Sequence, residues 1–249
     1  MSTLSKIIII PSRLGSSRFP NKPLEKVNNI PLLEHCYKNA IKSKLADYVI
    51  IATPDKKILN FVQSLGGIAI MTSQNHERAS DRCAEALQIF EKKIKKKFEI
   101  IGMLQGDEPL ISSKIIDDCF KKMDKNKEIL ITNAISKIHS NQELKDKNCI
   151  KVVFDNDLYA LYFSRSIIPF TKKNFSTHFK QVCIINFRRK MLLKYLKLKP
   201  TKLEISESID MNRLLQHGYK IKLIYTNKKI QSVDIKADIK KVEKILNDN

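Results

Sequence analysis

An unbroken run of four isoleucines at residues 7–10, ended by Pro11, constrains the fold of this chain more than any other feature. Consecutive β-branched residues without polar alternation are typical of an interior strand in a parallel sheet that helices cover on both faces. Pro11 favours the end of the strand because proline lacks a backbone N–H. The sequence therefore predicts a central parallel strand close to the amino terminus.

The loop after this strand combines small residues with three cations. Ser12, Gly15 and Ser16 allow the backbone to approach a ligand, and the cations are Arg13, Arg18 and Lys22. Ligands of open α/β sheets bind beyond the carboxyl ends of the strands, so we predict a site for a polyanion such as a nucleotide. The alternative is a solvated basic surface loop. Neither the P-loop motif nor the G-x-G-x-x-G motif occurs in the chain.

The first half of the chain alternates strand and helix patterns. Apolar runs predict strands at residues 48–53, 68–71 and 98–104, and helical periodicity predicts helices at 32–43, at 55–65 with Asp55 as its cap, and at 80–95 with Ser80 as its cap. This order predicts an α/β fold with a doubly wound, mostly parallel, Rossmann-like sheet and right-handed crossovers.

The second half of the chain has a different pattern. Residues 150–154 and 158–163 flank a turn and predict a hairpin, which is an antiparallel excursion from the sheet. The remaining patterns predict strands at 181–187 and 220–225 and helices at 188–196, 203–217 and 236–247. Since no linker or repeat separates the halves, we predict a single domain over residues 1–249 with an inserted antiparallel lid or dimerisation element.

Composition limits the class of protein. The net charge is +20, but the lysines are spread along the chain and tryptophan is absent, so we do not expect nucleic acid to be the partner; a nucleic-acid binder stays the alternative. The apolar runs are too short for a membrane span, and we expect a cytoplasmic protein without membrane insertion. The five cysteines are scattered and predict neither disulfides nor a zinc site.

Two aspartates are predicted to lie at the edge of the sheet where the ligand binds. Asp107 comes directly after the strand at 98–104, and Asp234 precedes the last helix. Carboxylate oxygens facing a triphosphate are suitable ligands for Mg²⁺, which also keeps phosphate and water ligands. Each aspartate alone is also typical of a turn or a helix cap. Together with the basic loop, the pair predicts a magnesium site.

Four motifs in order resemble the 3-deoxy-manno-octulosonate cytidylyltransferase family. They are IIPSRLGSSRFPNKPL at residues 9–24, LQGDEPL at 104–110, KVVFD followed by YALYFSRSIIP between 151 and 169, and SVD at 232–234. The resemblance implies a nucleotide-diphospho-sugar transferase fold and a Mg²⁺-dependent reaction of CTP with a 3-deoxy ulosonic acid. The products would be a CMP-sugar for the lipopolysaccharide of the bacterial envelope and pyrophosphate, and a homodimer is expected.

The resemblance also implies roles for individual residues. Those expected to bind the nucleotide are Arg13, Ser16, Arg18, Lys22, Arg82 and Gln105. Asp107 and Asp234 match the metal carboxylates, and with Arg13 and Lys22 they are expected to act directly in the reaction. Arg165 matches the arginine of a Ser-Arg pair, for which a structural salt bridge is the alternative.

The departures from the family pattern lie at the sugar-binding positions, which we expect at Arg165, Gln181, Ile185, Asp210 and Met211. Family members commonly have Arg-His where this chain has Lys180-Gln181, an aromatic residue at position 185, Glu-Gln at 210–211, and His-x-Ser-Gly-Thr at 76–80. Lost donors change which polar sugar a pocket accepts. An 8-amino analogue or another ulosonic or nonulosonic acid is therefore the alternative acceptor, and a non-catalytic binding homologue is a further one.

Overall fold

The structure is a computed structural model that describes residues 4–15, 19–76, 78–171 and 177–248. Its strands, numbered in chain order, are β1 (Lys6–Pro11), β2 (Lys26–Val27), β3 (Ile30–Pro31), β4 (Tyr48–Thr53), β5 (Ile68–Met71), β6 (Ile100–Leu104), β7 (Ile131–Lys137), β8 (Lys151–Phe154), β9 (Ala160–Ser164), β10 (Phe179–Arg188) and β11 (Lys222–Thr226). Its α-helices are α1 (Leu32–Ala40), α2 (Lys56–Ser64), α3 (Ala79–Ile94), α4 (Ser113–Lys125), α5 (Asn141–Lys145), α6 (Arg189–Tyr195), α7 (Lys202–Glu207), α8 (Asp210–Gln216) and α9 (Asp238–Asn247).

One nine-stranded sheet joins strands from both halves of the chain. The order of its main path is β11-β7-β10-β6-β1-β4-β5, and β8 and β9 extend from β10. The pairs β1–β4, β1–β6, β4–β5 and β7–β11 are parallel. This is the mostly parallel α/β architecture that the sequence predicts, and its fold class is confirmed.

Strand β1 lies at the centre of the sheet and is buried on both faces. Ile7 and Ile9 pack into one apolar cluster, whereas Ile8 and Ile10 pack into a second cluster on the opposite face. All four side chains are fully buried. The continuous isoleucine run therefore exists because helices cover both faces of this strand.

The predicted hairpin and its antiparallel direction are confirmed by the β8–β9 pairing. The sequence prediction missed α4 and β7, and it did not foresee that β10 runs antiparallel to both β6 and β7. Strand β7 carries the buried polar residues Thr132, Asn133 and Ser136, which hide its apolar pattern. The Asn133 side chain is accommodated there because its Nδ2 donates to the carbonyls of Val182 and Ile184 on β10, at 2.8 and 3.1 Å.

The prediction of one helix over residues 203–217 was wrong. The chain forms α7 and α8, separated by Ser208, whose φ of 52° lies in the left-handed region. A capping box between Thr201 and Glu204 begins α7. Glu204 is fully buried and forms a bidentate pair with Arg213 of α8, at 2.6 Å for both contacts. This pair joins the two short helices across the break at Ser208.

Within the described residues, no helix is both long enough and apolar enough to cross a membrane.

Candidate active site

Three distant segments of the chain meet at the Lys22 ammonium group. Lys22 begins a short 3₁₀ helix after the basic loop, and its Nζ donates to Asp107 Oδ2 at 2.6 Å and to the Val233 carbonyl at 2.9 Å. The Val233 N–H donates in return to the Asp107 carbonyl at 2.9 Å. The structure thus brings the loop after β1, the end of β6 and the segment before α9 together, as the positions of Lys22 and Asp107 beyond strand ends predict.

Asp234 lies next to this junction. Ser232 Oγ donates to Asp234 Oδ2 at 3.0 Å, and the Asp234 N–H donates to Asp238 Oδ2 at 3.1 Å in the first turn of α9. Asp107 and Asp234, the two predicted metal carboxylates, line one cavity.

The donor set in this region fits Mg²⁺. It offers carboxylate oxygens, and a Lys22 cation already sits against one of them. Among the described residues, no group of three or more His, Cys, Asp and Glu side chains is arranged to hold a metal ion. Two carboxylates suit Mg²⁺ nevertheless, since this ion usually takes one or two carboxylates and completes its shell with phosphate and water.

Arg13 and Arg82 both contact the loop between β5 and α3. Arg82 is buried, and its Nη1 donates to Thr72 Oγ1 at 2.6 Å and to the Ser73 carbonyl at 3.0 Å. Arg13 is exposed, and its Nη1 donates to the His76 carbonyl at 3.4 Å. Burial lowers the pKa of Arg82, and the neighbouring Arg13 charge is the second cause of this shift. Two guanidinium groups held this close create a region of positive potential suited to an anion.

The backbone of the basic loop is held by Asp55. Asp55 is the N-cap residue of α2, as the sequence predicts, but its side chain makes no capping bond. Its carboxylate instead accepts a bond from the Leu14 N–H, at 2.8 Å, and so ties the loop after β1 to the end of β4. Ser16 and Arg18, two of the residues expected to bind nucleotide, lie outside the described residues.

A cavity of about 990 Å³ opens at the carboxyl ends of the strands. It brings together eight of the residues that the sequence analysis predicts for the site: Gln105, Asp107, Arg165, Gln181, Ile185, Asp210, Met211 and Asp234. Gln105, which is expected on the nucleotide side, therefore shares this cavity with the sugar-side residues. Arg13, Lys22 and Arg82 are not among the residues that line it.

Part of the cavity wall is apolar where polar sugar contacts are common in the family pattern. Ile185 on β10 and Met211 on α8 are almost fully buried and belong to the same apolar cluster. Gln181 supplies an amide, but its Nε2 already donates to Asn133 Oδ1 at 2.6 Å. The wall thus combines two apolar surfaces with one amide whose orientation is fixed.

Asp210 faces a cation and a hydroxyl group from the start of α3. Ser80 Oγ donates to Asp210 Oδ2 at 3.0 Å, so Ser80 is a partner of Asp210 and not the predicted cap, which is formed at Arg78. Arg78 Nη1 lies 3.4 Å from Asp210 Oδ1. Burial raises the pKa of Asp210, and the Arg78 charge opposes this shift.

The Arg165 side chain is committed to backbone carbonyl groups. Its Nε donates to Glu207 O at 2.7 Å, its Nη1 to Lys147 O at 2.8 Å and its Nη2 to Ser208 O at 3.3 Å. Although Arg165 lines the cavity, these bonds fix the turn between α7 and α8 through backbone carbonyls and not through a salt bridge.

Two of the cavity residues that were not predicted have informative surroundings. Arg78 is one, and its position four residues before Arg82 at the start of a helix is the signal that could have indicated it. Glu108 is the other: it is buried, and its Oε1 accepts a bond from the Cys183 N–H at 3.2 Å. Burial raises the pKa of Glu108 to about 8, and the Asp107 charge is the second cause of this shift.

A family model described as cytidylyltransferase matches residues 7–230, which include every element from β1 to β11. The match, the α/β sheet and the cavity at its carboxyl edge define the class of protein as a nucleotidyltransferase.

Relatives narrow this class. The chain is 38% identical to the 3-deoxy-manno-octulosonate cytidylyltransferase of Fusobacterium nucleatum, over 97% of this chain and 96% of that protein. It is 39% identical to the protein of the same name from Thermodesulfovibrio yellowstonii, over 97% and 98% of the two chains. The chain belongs to the 3-deoxy-manno-octulosonate cytidylyltransferase family, as the sequence motifs predict.

A solved structure agrees with this membership. CMP:2-keto-3-deoxy-manno-octonic acid synthetase, whose structure is a complex with CTP, superposes with a TM-score of 0.88 at 32% identity, over 98% of this chain and 99% of that chain. The likeness spans both the first half of the sheet and the inserted antiparallel strands.

Proposed function

We propose that this protein is an enzyme that transfers CMP from CTP to a 3-deoxy ulosonic acid, either 3-deoxy-manno-octulosonate or a close analogue. The observation that carries the proposal is the junction of Lys22, Asp107 and Val233 beside Asp234. A cation and two carboxylates lie at the edge of the sheet where nucleotides bind, and the two carboxylates line one cavity with the sugar-side residues.

The reaction is an in-line displacement at the α-phosphorus of CTP. The anomeric hydroxyl oxygen of the acid bonds to that phosphorus, the bond from phosphorus to the pyrophosphate oxygen breaks, and the hydroxyl proton passes to water. Arg13, Arg82 and Lys22 supply positive charge that stabilises the developing pyrophosphate, which is an electrostatic and positioning role. No covalent enzyme intermediate is required.

We propose Asp107 and Asp234 as the residues that would hold Mg²⁺. When bound, the ion would stabilise charge on the phosphate oxygens. Lys22 is already bonded to Asp107 Oδ2, so its ammonium group fixes the orientation of this carboxylate.

The sugar side supports a substrate in the ulosonic acid class without selecting one member. Asp210 can accept bonds from hydroxyl or amino groups, while Ile185 and Met211 present apolar surface. Because an 8-amino group would be an ammonium ion, the Asp210 carboxylate is an observation in favour of the 8-amino analogue as the second candidate acceptor.

Pyrophosphate release tests the function directly. Purified protein is incubated with CTP, Mg²⁺ and, separately, 3-deoxy-manno-octulosonate, its 8-amino analogue and a nonulosonic acid. We expect release with at least one acid. CTP binding without release with any acid would refute the enzyme and favour a non-catalytic nucleotide-binding homologue.

The metal assignment is tested with Asp107→Asn and Asp234→Asn. Each substitution keeps the shape of the side chain but removes its charge, and we expect turnover to fall about 1000-fold at saturating Mg²⁺. Asp118→Asn on the outer side of α4 is the matched control, because Asp118 pairs there only with lysines of its own helix among the described residues. Retained activity in either site variant would remove that aspartate from the metal site.

We also propose a homodimer. Strand β9 pairs with β8 as its only strand partner among the described residues, and it exposes Leu161 at 61%. Ile205 on the neighbouring helix α7 is 64% exposed. Exposed apolar side chains on adjacent elements are typical of an interface. Light scattering of the wild type and of Leu161→Asp tests this, since a dimer through this surface would become monomeric in the variant.

A further inference from the structure

Two arginines line the sugar side of the cavity, and they differ in how far their donors are used. Arg165 donates to three backbone carbonyls through Nε, Nη1 and Nη2. Such a guanidinium group has little capacity left for a ligand, because its donors are directed at the protein backbone. Its charge fixes the turn between α7 and α8.

Arg78 holds its guanidinium group more loosely. Its Nη1 donates to Ser208 Oγ at 3.2 Å and lies 3.4 Å from Asp210 Oδ1, and its Nε is 3.7 Å from Glu204 Oε1. Nη2 has no hydrogen-bond partner among the described residues. All three contacts are longer than the usual 2.7–2.9 Å of a charge-assisted bond, so Arg78 retains donors for a further anion.

Arg78 shares both of its carboxylate partners with other groups. Glu204 has a bidentate pair with Arg213, and Asp210 accepts a bond from Ser80 while the Arg78 charge compensates its burial. Arg78 therefore balances Asp210 and still has a donor to spare. Because Arg78 is half-buried and lines the cavity beside Met211, this donor is placed where a ligand can bind.

Resting on the proposed function, we infer that Arg78 anchors the carboxylate of the sugar acid and determines the specificity of this enzyme for its acceptor. The fork of a guanidinium group matches the two oxygens of a carboxylate. Asp210 lies beside Arg78 and accepts a hydroxyl or amino group of the same ligand. Arg78 would bind the carboxylate of the ligand, and Asp210 would bind a neighbouring hydroxyl or amino group. The cavity wall therefore selects a polar acid although Ile185 is apolar.

Substitution at Arg78 tests the inference because it should change KM for the acid and not KM for CTP. In Arg78→Met we expect KM for the acid to rise about 10- to 100-fold, the loss of a hydrogen-bonded charge, while KM for CTP stays within about twofold. Arg78→Lys keeps the charge but loses the fork, and it should recover part of the affinity. Lys92→Met, an exposed cation further along α3, is the control and should leave both constants unchanged.

Direct binding separates this inference from the proposed function. Calorimetry measures the affinity of wild type and Arg78→Met for the acid in the presence of a non-hydrolysable CTP analogue and Mg²⁺. If the wild type binds acid but releases no pyrophosphate, the proposed function fails, and a weaker acid affinity in the variant still supports the anchor. An unchanged acid affinity in a folded variant, or a loss that falls on CTP instead, would overturn the inference and in the second case would assign Arg78 to a phosphate.

Discussion

Replacing Glu108 by glutamine should change how the stability of the protein depends on pH. Glu108 is buried beside Asp107, and its Oε2 has no hydrogen-bond partner among the described residues, while Oε1 accepts from the Cys183 N–H. Glutamine has the same shape and can accept the same bond, but it cannot ionise. The substitution therefore removes one titration and little packing.

The size and sign of the effect follow from the pKa of Glu108, which rises from 4.5 to about 8 because burial disfavours the charged carboxylate. Between these values the folded protein binds one more proton than the unfolded chain, so the free energy of unfolding falls as the pH rises and levels off above about 8. At about 1.4 kcal/mol per pH unit, the loss between about pH 5 and about pH 8 is about 4 kcal/mol.

Urea unfolding at several pH values, with a chelator to keep metal from Asp107, measures this difference. We expect the stability of Glu108→Gln relative to wild type to increase by about 4 kcal/mol from about pH 5 to about pH 9. Glu128→Gln is the control, because this side chain is exposed and its substitution leaves the buried Glu108 carboxyl group in place. A constant difference for Glu108→Gln would refute the reasoning, since it would mean that the carboxyl group is already ionised in the fold.

Three further substitutions test other parts of the structure. Gly102→Ala on β6 would place a Cβ 3.0 Å from Asn186 Oδ1, and we expect about 1–3 kcal/mol less unfolding free energy in urea. Arg213→Met leaves the fully buried Glu204 carboxylate without its bidentate partner and should cost about 3–5 kcal/mol in the same assay. Lys22→Met removes a cation from the predicted triphosphate site and should weaken CTP binding about 10-fold or more in calorimetry.

Each of these variants has a result that contradicts its explanation. Wild-type stability in Gly102→Ala would mean that β6 and β10 can move apart at Gly102 and Asn186 without a loss of unfolding free energy. Wild-type stability in Arg213→Met would mean that Glu204 is neutral or finds another partner. Unchanged CTP affinity in Lys22→Met would confine Lys22 to the contact with Asp107 and Val233.

The sequence predicts best those features that depend on neighbouring residues along the chain. The isoleucines of β1 form the central strand, and Asp107 follows β6 as the pattern indicates, because burial on two faces and the end of a strand are both local signals. Membership in the family was also predictable, since its motifs are short and keep their order. The convergence of Asp107 and Asp234 follows from the general geometry of doubly wound sheets.

Features that depend on distant partners were not predictable in the same way. Strand β7 looks polar in the sequence because it contains Asn133. This side chain can be buried because it donates to carbonyl groups of β10, which lies far along the sequence. The break at Ser208 is fixed by Glu204 and Arg213 on either side of it and by the Arg165 bonds to its turn. Arg78 and Arg165 cannot be told apart by their chemistry in the sequence. Only the structure shows that backbone carbonyls hold Arg165 and that Arg78 has donors to spare.

The position of β10 between β6 and β7 has a consequence for synthesis on the ribosome. Strands β1, β4, β5 and β6 can pair as soon as they emerge, but β7 leaves the ribosome before β10, the strand that joins it to the sheet. Until residues 179–188 are made, the fully buried edge of β6 and the whole of β7 lack their partners. The nascent chain therefore passes through a stage in which β6 and β7 have unpaired edges, and unpaired strand edges make such a stage prone to aggregation.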